Sequence, residues 1–182
     1  MPTYVAMLRG INVGPHKRMK MEKLRALFEA LGFEQVSTYI QSGNVVFNAG
    51  KLAANVLSKR IESRIQDDFG FSAAVIARSA DEMSATVAGN PFLRQPGIDP
   101  EKLHVMFLAE TPSSVAVKKL AELARAPEQL RSLGKEIYLY LPDGVANSFW
   151  MKNPVDRILG VATTTRNWKT VNQLAKMCEE CG

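Results

Sequence analysis

Three polar segments of the sequence combine hydrogen-bond donors with a glycine turn or a predicted helix start. They are Arg9-Gly10-Ile11-Asn12-Val13-Gly14, Gln41-Ser42-Gly43-Asn44 and Thr163-Thr164-Thr165-Arg166-Asn167-Trp168. An arginine guanidinium is a fork of donors that matches phosphate or carboxylate, and glycine lets the backbone approach a ligand closely. The pattern predicts one anion-binding pocket formed by the Arg9, Ser42 and Arg166 motifs.

Ten residues in these segments and in the adjoining basic stretch are the predicted ligand contacts. Arginine and lysine supply charge, while amide and hydroxyl groups supply neutral donors and acceptors. Asn167 stands directly before an apolar stripe, where it predicts a helix N-cap whose unpaired N–H groups would also attract an anion. Each motif alone is also explained as a turn, an ion pair or a cap. The ten are Arg9, Gly10, Asn12, Lys17, Gln41, Ser42, Asn44, Thr165, Arg166 and Asn167.

Positive charge is concentrated near the start of the chain. The 182 residues carry a formal net charge of +5, yet residues 9–25 contain six Lys or Arg against Glu22 alone. Such a cluster favours an anionic partner, and its alternative explanation is a solvated basic face. The sequence therefore predicts a small phosphorylated or other anionic ligand as the partner.

The sequence leaves open whether the protein is an enzyme. It contains no phosphate-binding Gly-x-x-x-x-Gly-Lys-Ser/Thr loop, no Gly-x-Ser-x-Gly elbow and no carboxylate cluster for magnesium. His16 and Tyr39 are the only proton-transfer candidates near the motifs, and each has a simpler role as a surface or packing residue. No metal site, no cofactor and no catalytic residue is predicted.

Composition indicates a packed cytoplasmic protein. Hydrophobic residues make up 46% and charged residues 23% of the chain, which is ordinary for a globular protein. No signal peptide and no apolar run of membrane-spanning length is visible, so no membrane partner is expected. Cys178 and Cys181 lie within the last five residues. We expect two free thiols on a frayed helix end, since a redox or metal-binding tail would need a different context.

Apolar periodicity in the first half predicts the order β-α-β-β-α-β. Gly32 and Gly70 end the two helices, and Ser42-Gly43 forms the turn of a hairpin. This order is the split βαβ, ferredoxin-like signature. The predicted elements are strand 3–9, a helix near 21–31, strands 34–41 and 44–48, a helix near 52–69 and strand 71–78.

The same order recurs in the second half, which predicts an internal duplication of ferredoxin-like halves in an α+β fold. A helix over Ala80–Ala88 precedes it, and a long helix with an apolar stripe from Trp168 to Cys178 closes the chain. The predicted domains are residues 1–88 and 101–182, the second including the C-terminal helix, with 89–100 as a linker. The remaining elements are strand 103–109, a helix near 117–124, a hairpin over 129–133 and 136–141, a helix over 149–159 broken near Pro154, and strand 162–165.

A single-stranded nucleic-acid-binding module is the alternative function. Ferredoxin-like sheets can stack bases on strand aromatics, and Tyr138 and Tyr140 fall on one face of a predicted strand. The aromatic RNA-binding signature of such sheets is absent, and packing inside the protein explains both tyrosines as well. The partner is thus a small anion, with nucleic acid as the alternative.

Three longer segments resemble the bacterial family called domain of unknown function 1697. They are Leu8–Gly14, Thr38–Phe47 and Ala162–Val171. The resemblance spans nearly the whole chain and implies a duplicated ferredoxin-like α+β architecture, without an assigned activity. Pro15 departs from the family pattern, which commonly has another glycine there, and it stiffens the turn.

Overall fold

The computed structural model describes residues 1–182 and shows an α+β fold with two four-stranded antiparallel sheets and seven α-helices. The first four strands are β1 (Thr3–Leu8), β2 (Glu34–Tyr39), β3 (Asn44–Asn48) and β4 (Val75–Ser79). The other four are β5 (Leu103–Leu108), β6 (Gln129–Leu133), β7 (Glu136–Tyr140) and β8 (Thr163–Asn167). The first sheet has the spatial order β2-β3-β1-β4 and the second the order β6-β7-β5-β8.

The helices follow the strands in the predicted order. They are α1 (Met21–Ala30), α2 (Ala54–Phe69), α3 (Ala80–Ala88), α4 (Ser114–Ala121), α5 (Phe149–Lys152), α6 (Val155–Leu159) and α7 (Trp168–Cys181). Two short 3-10 turns cover Pro91–Arg94 and Pro100–Lys102. The predicted break near Pro154 is confirmed, because α5 and α6 stop and start on either side of it.

The core of the first sheet forms where apolar residues recur at helical and strand spacing. Leu24, Leu27 and Phe28 of α1 are buried at three- and four-residue intervals, and α2 buries Leu57, Ile61 and Ile65 in the same way. These side chains share one cluster with the strand residues Tyr4, Ala6, Leu8, Val45 and Phe47. All six residues of β1 are buried, so β1 is buried on both of its faces.

The second sheet has an equivalent core. Met106, Leu108, Ile137 and Leu139 from β5 and β7 cluster with Leu120 of α4 and with Phe149, Val155 and Leu159 of the short helices. Because strand side chains alternate between faces, Tyr138 points to the opposite face from Ile137 and Leu139.

The chain divides into two compact units. The first consists of Met1–Ala85 together with Gln173–Gly182, and the second of Thr86–Asn172. Residues 89–100, which the sequence predicts to be a linker, belong to the second unit and include a 3-10 turn. The last turns of α7 belong to the first unit. Independent domains at residues 1–88 and 101–182 stay a prediction.

Several predicted boundaries shift by a few residues. Strand β2 ends at Tyr39, and not at Gln41, because Ile40 adopts a left-handed backbone with φ 49°. Strand β4 begins only at Val75, four residues after the predicted start.

No helix combines the length and the apolar character that crossing a bilayer would require. No three His, Cys, Asp or Glu side chains are grouped so that they could hold a metal ion.

Candidate functional site

The loop between β1 and α1, residues 9–20 and called the basic loop below, is fixed by the side chain of Asn12. Its Nδ2 donates to the carbonyl oxygens of Met19 at 2.9 Å and of Gln41 at 2.8 Å, while Met19 N donates to Asn12 Oδ1 at 2.8 Å. Asn12 N also donates to the carbonyl oxygen of Lys17 at 3.0 Å. One side chain therefore closes the loop on itself and ties it to residue 41.

The partner of the basic loop is the turn Ile40–Gly43, called the hairpin turn below. Gly43 has φ 86°, and a Cβ on it would lie 2.6 Å from Ile11 Cδ1 and 2.9 Å from Leu8 Cβ. Leu8 N donates to the carbonyl oxygen of Gly43 at 2.8 Å. Only glycine fits here, because both the conformation and the close approach exclude a side chain.

Asn44 is buried and organises the hairpin turn from inside. Its Nδ2 donates to the carbonyl oxygen of Tyr39 at 3.0 Å and to Ser42 Oγ at 3.0 Å. Ser42 is half-buried and Gln41 is exposed. Of the predicted polar contacts in this turn, Gln41 and Ser42 reach the surface, whereas Asn44 holds the turn.

Exposed cations lie along the basic loop. Arg9, Lys17 and Arg18 are exposed, as are His16 and Lys20. The backbone at Arg9 is anchored, since Arg9 N donates to the carbonyl oxygen of Ala74 at 2.9 Å. Cationic side chains held on a fixed backbone attract anions without the entropy cost of ordering a mobile loop.

Left-handed backbone is frequent at this end of the first sheet. Four residues other than glycine have positive φ, and three of them, Asn12 (55°), Lys17 (54°) and Ile40 (49°), belong to the basic loop or the hairpin turn. Asparagine tolerates this conformation, whereas a β-branched residue such as isoleucine is strained in it. Gly10 and Gly14 of the same loop also have positive φ, at 70° and 77°.

The third predicted motif lies in the second unit, where Arg166 is inside the protein. Arg166 is 8% exposed, and its Nη1 donates to Thr164 Oγ1 at 2.8 Å and to the carbonyl oxygen of Thr165 at 3.0 Å. Burial lowers the pKa of Arg166 to about 10, so the guanidinium still carries its charge at neutral pH. Thr165 Oγ1 is buried without a hydrogen bond. Asn167 is the predicted cap, accepting from Thr170 N at 2.8 Å.

The ten predicted ligand residues thus fall into two groups. Seven lie in the first unit, on the basic loop and the hairpin turn, and three lie in the second unit, on β8. The seven are Arg9, Gly10, Asn12, Lys17, Gln41, Ser42 and Asn44. A single pocket that combines both groups stays a prediction.

Arg78 is a buried arginine that sequence reasoning missed. It lies opposite Val5 in the first sheet, as Arg166 lies opposite Val105 in the second. Its Nη1 donates to the carbonyl oxygen of Ala77 at 2.9 Å, which repeats the bond from Arg166 to Thr165. The sequence signal was available, because Arg78 and Arg166 each stand two residues before a predicted helix.

A cleft of about 250 Å³ lies in the second unit, between the loop near Pro127 and helix α5. Glu128 lines it, and both of its carboxylate oxygens accept from Phe149 N, at 3.1 and 3.3 Å. Arg125, Asp143 and Lys152 also line it, so charges of both signs are present. No sequence motif predicted this cleft.

Tyr138 is not available for stacking a nucleic-acid base. It is buried, and its hydroxyl donates to the carbonyl oxygen of Thr86 at 2.8 Å. Burial, together with Glu136, raises the pKa of Tyr138 to about 12. Tyr140 is half-buried beside Phe92, with 6.2 Å between ring centroids. Both tyrosines therefore pack inside the protein, which is the alternative explanation that the sequence allowed.

The frayed C-terminal tail is a wrong prediction. Helix α7 continues to Cys181, and Cys178 is buried with 3% exposure. Burial, with smaller contributions from Cys181 and Glu179, raises the pKa of the Cys178 thiol to about 12. Cys181 is half-buried, with its Sγ 3.4 Å from Gln35 Oε1 and 3.4 Å from Asn48 Oδ1. Both cysteines are free thiols, as expected.

Comparison with solved structures supports the fold. The chain is similar over 97% of its length to the structure of the conserved bacterial protein SP0830 from Streptococcus pneumoniae. The match covers 98% of that chain with a TM-score of 0.76 and 24% sequence identity. At this identity the similarity concerns the fold alone.

Comparison with family models identifies the family. The model described as a protein of unknown function, DUF1697, matches residues 1–138, so the chain belongs to this family. The predicted resemblance is confirmed over the first two motifs, and the third motif, Ala162–Val171, lies outside the matched residues. No curated protein matches the chain.

Proposed function

We propose that the protein binds a small phosphorylated or otherwise anionic ligand at the basic loop and the hairpin turn of the first unit. The observation that carries this proposal is the set of exposed cations Arg9, Lys17 and Arg18 on a loop whose backbone is fixed by Asn12. An anion placed there gains charge-assisted hydrogen bonds of about 1.5 to 3 kcal/mol each.

Preorganisation strengthens the argument. Ordering a side chain on binding costs about 0.5 to 1.5 kcal/mol, and ordering a mobile loop costs more. Here the bonds from Asn12 to Met19 and Gln41 hold the loop before any ligand arrives. A larger part of the interaction free energy therefore remains as net binding free energy.

The residues have different roles in this proposal. Arg9 and Lys17 bind the anion through charge, and Gln41 and Ser42 add neutral hydrogen bonds. Asn12 and Asn44 act by positioning, because their amide groups already hold the loop and the turn. Thr165, Arg166 and Asn167 would take part only in the wider pocket that the sequence predicts.

The test replaces one cation and leaves the fold intact. Lys17→Asn removes a positive charge at a left-handed position that asparagine tolerates, so the melting temperature should not fall. We expect the affinity for inorganic pyrophosphate, measured by NMR titration at low salt, to fall about tenfold.

Lys51→Asn is the matched control. Lys51 is exposed and lies beyond the opposite end of β3 from the hairpin turn, so the net charge changes equally without touching the site. Pyrophosphate affinity should stay at the wild-type value. Equal losses in the two variants, or no pyrophosphate binding by the wild type, would overturn the proposal.

A single-stranded oligonucleotide tests the alternative function. Nucleic-acid binding would fall steeply with salt, because each neutralised phosphate releases counterions. The buried Tyr138 removes one of the two side chains on which that alternative rested. We therefore expect a short single strand to bind no tighter than pyrophosphate at 0.15 M salt.

The duplicated ferredoxin-like arrangement belongs to the same proposal. The two sheets have equivalent strand orders. Equivalent backbone hydrogen bonds also occur at the ends of β1 and β5. Leu8 N and Arg9 N donate to Gly43 O and Ala74 O, and 100 residues later Leu108 N and Ala109 N donate to Lys135 O and Ala162 O. Two free thiols are in keeping with a cytoplasmic protein, which we also propose.

A further inference from the structure

Two exposed apolar side chains belong to the loop and the turn of the proposed anion site. Val13 is 76% exposed in the basic loop, and Ile40 is 49% exposed in the hairpin turn. Val13 follows Asn12 and Ile40 precedes Gln41, and Asn12 Nδ2 donates to the carbonyl oxygen of Gln41 at 2.8 Å. The two apolar side chains are therefore each one residue away from the same hydrogen bond.

Ile40 is in a conformation that its residue type disfavours. Its φ of 49° is left-handed, where a β-branched side chain crowds its own backbone. Glycine or asparagine would suit this position and would also remove apolar surface from water. Strained residues of this kind concentrate at ligand sites, so the outlier calls for a functional explanation.

The geometry points to a ligand that has two unlike ends. We propose, on the basis of the proposed anion site, that the ligand is a phosphate ester carrying a flat ring, as nucleoside and aryl phosphates do. Its phosphate lies against Arg9 and Lys17, and its ring packs on Ile40 and Val13. Aromatic rings pack well on β-branched side chains, and the charge of the loop selects the anionic end.

Paired probes separate the two ends. ADP is pyrophosphate joined to an adenosine, and phenyl phosphate is phosphate joined to a benzene ring. For the wild type we expect ADP to bind about tenfold tighter than pyrophosphate, because the ring buries part of two apolar side chains. The methyl resonances of Val13 and Ile40 should shift with ADP and not with pyrophosphate. If phenyl phosphate also binds more tightly than phosphate, any flat ring is sufficient for the added affinity. If it does not, the added affinity requires a nucleoside.

Ile40→Asn provides the decisive variant. It removes the apolar side chain and suits the left-handed backbone, so the melting temperature should rise by about 2 to 4 °C. The ADP affinity should fall to that of pyrophosphate, while pyrophosphate affinity stays unchanged. A gain in stability combined with a loss of one affinity distinguishes a ligand contact from a packing residue.

Two further variants keep the proposal falsifiable. Val13→Ser alters the other apolar side chain at an exposed position and should reduce the ADP advantage several-fold. Val56→Asn changes an apolar residue of comparable exposure, 47%, on α2 and should leave both affinities unchanged.

The outcomes separate this inference from the proposed function. Pyrophosphate binding without an ADP advantage, or an ADP advantage that survives in Ile40→Asn and Val13→Ser, overturns the ring contact and leaves the anion site standing. Failure of pyrophosphate to bind the wild type overturns the anion site and, with it, the inference that rests on that site.

Discussion

Replacing Gly43 by alanine tests how tightly the hairpin turn is packed on the basic loop. The new methyl group would lie 2.6 Å from Ile11 Cδ1 and 2.9 Å from Leu8 Cβ. Ile11 can move its terminal methyl, but Leu8 Cβ is attached directly to the backbone of a buried strand. Some backbone movement is therefore unavoidable.

The expected loss of stability has two parts. Placing alanine at φ 86° costs about 1 to 2 kcal/mol because of the left-handed backbone. Overpacking against Leu8 and Ile11 costs about 1 to 3 kcal/mol more. Gly43→Ala should therefore lower the free energy of unfolding by about 2 to 5 kcal/mol.

Gly32→Ala isolates the second part. Gly32 has φ 82°, and no heavy atom lies within 4 Å of its added Cβ, so only the backbone cost remains. Urea denaturation of both variants gives the two free energies, and the difference of about 1 to 3 kcal/mol measures the clash. Equal losses would show that the turn accommodates a methyl group without strain and would refute the argument that the close approach to Leu8 and Ile11 excludes a side chain at position 43.

Two further predictions concern His104 and the two cysteines. Burial lowers the pKa of His104 below 6.5, so the native imidazole lacks a proton that the unfolded chain binds in acid. The free energy of unfolding should therefore fall as pH decreases below about 6.5. Urea denaturation at pH 7.5 and 5.5 should show a weaker pH dependence for His104→Gln than for the wild type. The same pH dependence in both proteins would contradict the prediction. Native iodoacetamide labelling should modify Cys181 before Cys178, and mass spectrometry should find the second adduct only after unfolding. Equal labelling rates would refute the burial of Cys178.

Element order was predictable because apolar spacing reports it directly. Helix α3 was predicted with the bounds Ala80–Ala88 that it has, and strand β3 with the bounds Asn44–Asn48. The end of β2 was not predictable, since the isoleucine at position 40 favours a strand by residue type. Its left-handed conformation is imposed by the surrounding turn, through bonds that involve residues 12 and 44.

The candidate site was predicted in part. The exposed cations and the glycine turn could be recognised from the residue types. The hydrogen bonds by which Asn12 fixes the loop could not, because their acceptors lie seven and 29 residues away in the sequence. Cys178 lay on the predicted apolar stripe of the last helix, and that stripe alone would have predicted its burial. The prediction of an exposed thiol relied instead on its place near the end of the sequence. Position in the chain is weaker evidence than periodicity.

The two-part composition of the first unit affects how the protein can fold during synthesis. Residues 1–85 are made first, but residues 173–182 complete the same unit, where Asn48 Nδ2 donates to the carbonyl oxygen of Cys181 at 3.3 Å. At about 5 to 20 residues per second, translation of the intervening segment takes on the order of 4 to 17 s. During this time residues 1–85 lack their contacts with residues 173–182, so the first unit cannot be completed before the second has been synthesised.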